Sequence, residues 1–247
     1  MKTIHLKTDK KINLIGVLNV PNEPEIEAVE HFKFTVSFTM YVNQDKNQTI
    51  EELSIAQNIS YQKINHFLSY YVDNALWYDK DGQDMIDRHF TQTKNLLLVT
   101  PIINVTYLGN CLFKKFNTLC KDNVFVDGLA IKDHITNLTY TYRTDDPDED
   151  IEILPEPGTW PNEFTIYEKP WWLRDSVSCY DYACKSQEEA DKIREQIKEN
   201  EEQINDEFKV IEDEVVKQMQ SDPNFAEEKG KVIQFDFKKA NNPKKVD

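Results

Sequence analysis

Residues 31–42 alternate without a break, with Phe32, Phe34, Val36, Phe38, Met40 and Val42 separated by Lys33, Thr35, Ser37, Thr39 and Tyr41. In an extended chain a period of two sends the apolar set to one face and the polar set to the other, so this stretch demands a sheet with one buried and one wet side. Residues 11–20 read as a weaker strand beside it, and residues 21–27, with Pro21 and Pro24, read as a loop.

Helices must cover the apolar face. Thr49 with Glu52 three residues on is the pattern of a capping box opening a short helix. A longer helix is expected over residues 60–77, where Ile64, Phe67, Leu68, Tyr71, Val72 and Ala75 form one stripe. Residues 95–108 read as extended, bent at Pro101, and Gly109-Asn110 is expected to open a helix that buries Leu112, Phe113, Phe116, Leu119 and Cys120. Lys114, Lys115 and Lys121 are expected to point away from that face. Further strands are expected at residues 124–126 and 135–142.

The order gives an α+β fold: a mixed or antiparallel sheet covered by helices on one face, with a long C-terminal helix. Residues 1–143 form its core domain, and 144–162 an acidic, proline-rich connection. Residues 163–220 hold a short strand pair, at 163–167 and 176–184, and then the long acidic helix. The basic tail, 221–247, carries a short apolar-aromatic run. The helix over 187–220 is capped by Ser186 and Glu189, and its apolar positions Ala190, Ile193, Ile197, Ile204, Phe208, Ile211, Val215 and Met219 make a narrow stripe interrupted by Asn200. Such a stripe suits a coiled-coil seam or a docking helix.

The formal charge of −15 is concentrated. Residues 144–156 carry seven acids and no base, residues 187–220 twelve acids and five bases, and what remains is close to neutral. An acidic function would therefore live in one loop and one helix. Direct nucleic-acid binding by the core is disfavoured on net charge, the lysines of the tail at 229, 231, 238, 239, 244 and 245 being the exception. No apolar run reaches the roughly 18 residues of a membrane span, and charges among the first eleven residues speak against a signal peptide, so no membrane partner is expected.

Twenty Asn and 21 Ile against 8 Ala and 6 Gly point to an AT-rich genome, as in bacteriophages and other viruses but also in low-GC cells. Cys111, Cys120, Cys179 and Cys184 are read as reduced thiols of a cytoplasmic protein, in the host cytoplasm if the chain is viral.

Motifs for chemistry are few. The two closest cysteines, Cys179 and Cys184, are spaced too loosely for a zinc knuckle, and no metal site is expected. Asp79, Asp81 and Asp84 with Gly82 lack the glycine and glutamate positions of a calcium loop, and no phosphate-cradling glycine loop exists, so no cofactor is expected. Asp148, Glu149 or Asp150 with Glu168-Lys169 has the flavour of a metal-dependent nuclease, but adjacent Glu168 and Lys169 in a strand would face opposite ways. Catalytic residues stay unknown.

Adjacent Trp171 and Trp172 cannot both enter one core from a strand, so at least one is expected at an element boundary, a domain seam or a partner surface, the seam being favoured. Phe235 and Phe237, in the basic frame of residues 231–239, fit a short motif for strand addition or an aromatic pocket. These features lead to a non-enzymatic interaction or assembly protein, phage-encoded, that binds a protein partner or itself. The expected contacts are Trp171, Trp172, Ile193, Ile197, Ile204, Phe208, Ile211, Val215, Phe235 and Phe237. The alternatives are a metal-dependent enzyme acting on nucleic acid and an acidic mimic of DNA that occupies a DNA-binding protein.

Overall fold

The computed structural model describes residues 3–20, 23–43, 48–79, 97–121, 123–143, 154, 169–179 and 186–221. Two strands dominate it. β1 (Thr3–Val20) and β2 (Glu23–Asn43) form an antiparallel hairpin whose register runs from Thr3↔Asn43 to Val20↔Glu23. The expected loop at 21–27 is corrected: Glu23–Glu27 belong to β2. Pro24 is tolerated because the register shifts between Asn19 and Val20, leaving residues 24–26 without Cα partners where a missing N–H costs no ladder bond.

The capping box forms as read, Thr49 Oγ1 accepting from Glu52 N at 3.1 Å and Glu52 Oε2 from Thr49 N at 2.8 Å. The helix it opens, α1 (Ile50–His66), continues into a π-helical turn, Phe67–Val72, so two expected helices are one. It stops short of Trp77. Asn74 is left-handed, at φ 64°, and donates its N–H to Asn13 O, while the Asp73 carboxylate accepts from Asn13 N. That clasp turns the chain into β3 (Ala75–Asp79), parallel to β1 through Leu14↔Ala75.

β4 (Leu97–Thr100) pairs parallel with β3, and among the described residues of the expected extended stretch only this part is a strand. Asn104 caps the next helix, α2 (Val105–Leu119), accepting from Thr106 N at 2.7 Å, so Gly109 lies inside the helix instead of opening it. β5 (Val124–Asp133) and β6 (Thr139–Arg143) complete the sheet; residues 134–138 are turn and irregular chain, with Asn137 at φ 59°. The order is β4-β3-β1-β2-β5-β6, antiparallel at β1-β2, β2-β5 and β5-β6 and parallel at β1-β3 and β3-β4, hence a mixed sheet in an α+β fold.

The apolar face of β2 meets the helices. Phe34, Val36, Phe38, Met40 and Val42 are all buried, and Phe38 packs on Phe116 of α2 with ring centroids 5.0 Å apart. The same core takes in Leu154, Trp171, Val177, Ala190, Phe208 and Val215 from the later chain. The other face of β1, β2, β5 and β6 carries Lys7, Lys11, Lys33, Lys132 and Arg143 exposed. A last helix, α3, spans Gln187–Ser221.

Candidate functional site

Residues 169–179 run across α2 and the π-helical turn without forming a strand over 176–179. Pro170 leads into a single 3-10 turn, Trp171–Leu173, closed by Leu173 N donating to Pro170 O at 2.9 Å. Three residues per turn set neighbouring side chains about 120° apart instead of 180°, and this corrects the strand-based argument about the tryptophans. Both enter the core. Trp171 and Trp172 are 0% and 1% exposed, Trp171 stacks on Phe67 at 5.7 Å, and Trp172 meets Trp171 edge-on at 5.6 Å. The Trp171 indole N–H donates to Val99 O at 2.7 Å, which ties this segment to β4.

Beneath it lies Lys115, completely buried, contrary to the outward direction expected for it. Its Nζ donates to Arg174 O at 2.8 Å and to Ser176 O, and sits 5.5 Å from the centroid of the Phe67 ring. Carbonyl dipoles and a ring face thus offset part of the cost of taking an ammonium out of water. Thr118 Oγ1 donates to the same Arg174 O at 3.0 Å, and Cys179 Sγ reaches Tyr71 O. Sequence reasoning missed Lys115 because it judged the lysines of α2 by charge; the signal was positional, since Lys115 falls three residues after the core residue Leu112.

The second buried cluster joins α1 and α3. Glu189 N donates to Ser186 Oγ at 3.3 Å at the start of α3, and Ala190 is fully buried. Further along, Phe208, Ile211 and Val215 are buried, with Phe208 edge-on to His66. Lys121 pairs with Glu212 beside them. Burial holds the Lys63 ammonium below its ordinary range, with the nearby Lys121 charge adding to the effect. Burial also lowers His66 to about 4 and raises the Cys120 thiol to about 12. At neutral pH the imidazole is therefore uncharged and the thiol protonated, a poor nucleophile.

As folded, Trp171, Trp172, Phe208, Ile211 and Val215 spend their apolar surface on the chain's own core. Ile193 is half-buried. The side chains of Ile197 and Ile204, the residues Phe235 and Phe237, and the acids Asp148, Glu149, Asp150 and Glu168 lie outside the described residues, whereas Lys169 is exposed. Among the described residues no three His, Cys, Asp or Glu side chains converge on a common point, and no helix is long and apolar enough to cross a membrane.

No protein-family model matches the chain, and no curated protein is similar to it. Among solved structures, the 6-pyruvoyl tetrahydropterin synthase of Caenorhabditis elegans is similar at 9% identity, covering 58% of this chain and 96% of that one with a TM-score of 0.35. That degree of likeness carries no argument about activity.

Proposed function

We propose that the chain is a non-enzymatic interaction or assembly protein that takes a protein partner, or a second copy of itself, along the first part of α3. The observation that supports this is a contrast along the helix. Phe208, Ile211 and Val215 are buried and Glu212 pairs with Lys121, so the last part of α3 is an anchor. Between Asp191 and Asp206 every described side chain is exposed except the half-buried Ile193. The stripe of Ile193, Ile197 and Ile204 continues through that part, on a long helix whose charges keep it soluble. Trp171 and Trp172 then act as internal anchors of the scaffold. Phe235 and Phe237 remain a second candidate contact, in the tail.

The Asn and Ile bias supports a phage or other AT-rich origin, and Cys111, Cys120 and Cys179 as free thiols fit a reducing cytoplasm.

The test is the solution mass of the full chain, alone and with candidate partners, against the double variant Ile197→Asp, Ile204→Asp. The substitutions leave Phe208, Ile211 and Val215 in place. Loss of association in the variant supports the proposal; identical masses and identical partner retention overturn it.

A further inference from the structure

The wet face of the sheet has a chemistry that the net charge conceals. Lys7, Thr39, Gly128 and Arg143 are consecutive Cα partners across β1, β2, β5 and β6, a row about 14 Å wide at ~4.8 Å per strand. Four residues down the strands, Lys11, Thr35, Lys132 and Thr139 make a parallel row. Lys33 shares the face, and Asp9 is the acid facing the same way on β1. Two stretches account for nearly all the net negative charge of the chain, and this face belongs to neither.

Between Lys7 and Arg143 the surface is recessed. An open groove of about 260 Å³ is lined by the hydroxyls of Ser37, Thr39 and Thr141 between the two cations. Gly128 forms its floor, where an added Cβ would meet nothing within 4 Å. Beside the groove, on neighbouring strands, Tyr41 and Phe125 are cross-strand partners stacked at 5.3 Å with planes 27° apart. Phe125 is 38% exposed, a large apolar ring kept at the surface.

We propose that this face binds single-stranded nucleic acid. Cations on a grid neutralise phosphates, hydroxyls in the groove donate to phosphate or sugar oxygens, and an exposed aromatic pair offers bases a stacking platform. An acidic peptide would use the lysines but has no bases to place on Phe125, which is why the nucleic acid is favoured. A duplex keeps its bases stacked inside and gains nothing from the rings. Net charge misleads here because ions are screened beyond a Debye length of about 8 Å at physiological salt, so the local face and not the total decides binding.

The test uses the full chain, basic tail included, with a fluorescently labelled oligothymidylate followed by anisotropy at several salt concentrations. The wild-type protein binds it, more weakly as salt rises and more tightly than a duplex of equal length. Lys7→Glu with Arg143→Glu weakens binding at least tenfold and flattens the salt slope, by ~0.7 for each phosphate no longer neutralised. Phe125→Ala weakens it by about tenfold and leaves the slope unchanged, because stacking releases no counterions. Each substituted side chain is exposed, and unchanged thermal midpoints verify the fold. Absence of binding at low salt overturns the proposal. So does undiminished binding by the charge-reversed variant, which would place the binding in the tail, and so does a polyglutamate peptide that binds as tightly as the oligonucleotide.

Discussion

Phe208 meets His66 edge-on across the seam between α3 and α1, ring centroids 5.2 Å apart with planes at 72°. Tyr70 stacks on the same imidazole at 4.5 Å. Enclosed in this way, His66 takes up a proton only near pH 4 while the chain is folded, against 6.5 for the free side chain. Between those values the unfolded chain binds more protons, so the stability from this site is complete above about pH 6.5 and is lost as pH falls toward about 4, by at most ~3 kcal/mol. His66→Phe keeps the ring packing and removes the titration. Urea midpoints measured across that window should fall more steeply for the wild type than for His66→Phe; parallel curves would show that the seam does not sense protons.

Lys115 holds two carbonyls of the tryptophan-bearing segment from the interior of α2. Lys115→Met keeps the unbranched stem as far as Cε but leaves Ser176 O short of a donor, whereas Arg174 O still accepts from Thr118 Oγ1, so the cost is about 1–3 kcal/mol for the one orphaned carbonyl. The ammonium's own desolvation cost disappears at the same time, so the net loss falls toward the lower end. Denaturant unfolding checks the magnitude. Tryptophan emission checks the location, with a red shift expected if residues 169–179 loosen and Trp171 or Trp172 meets water.

Local patterns were legible in the sequence and long-range ones were not. The alternation at 31–42 and the Thr49–Glu52 capping box each depend on residues a few positions apart, and both formed as read. Residues 101–108 misled because Ile102, Ile103 and Val105 are β-formers in an apolar run too short to reveal its period, while the decisive feature was the Asn104 cap. Trp77 misled in another way: Ala75 continues the helical spacing of Ile64 to Val72, and only the bonds of Asp73 and Asn74 to Asn13, sixty residues away, break it. The cationic face is of the same kind. Lys33 and Tyr41 were visible on the polar side of β2, but Lys7, Lys132 and Arg143 join them only through the registers of three strand pairs.

Thr49→Ala removes the oxygen that accepts from Glu52 N at the exposed start of α1 and keeps the backbone N–H that Glu52 Oε2 accepts, with an expected cost of about 1 kcal/mol. Thr49→Ser retains the acceptor and should stay within a few tenths of the wild type. Equal losses in both variants, read from thermal unfolding, would mean that the methyl group and not the cap matters here.

Gly109 and Tyr142 are matched where α2 crosses β6. A Cβ built on Gly109 would fall within the Tyr142 ring. That ring cannot easily withdraw, being 5% exposed with its hydroxyl donating to Val105 O at 3.0 Å. Two effects of opposite sign therefore compete in Gly109→Ala. Alanine gains up to ~1 kcal/mol of helix propensity, whereas overpacking costs about 1–3 kcal/mol, and the pinned ring lets the second prevail. In a Tyr142→Ala background the obstacle is gone and only the propensity remains, so the same substitution should become neutral or stabilising. A double-mutant cycle in urea measures that change of sign; a Gly109→Ala effect of the same size in both backgrounds would show that the glycine is there for some reason other than the ring.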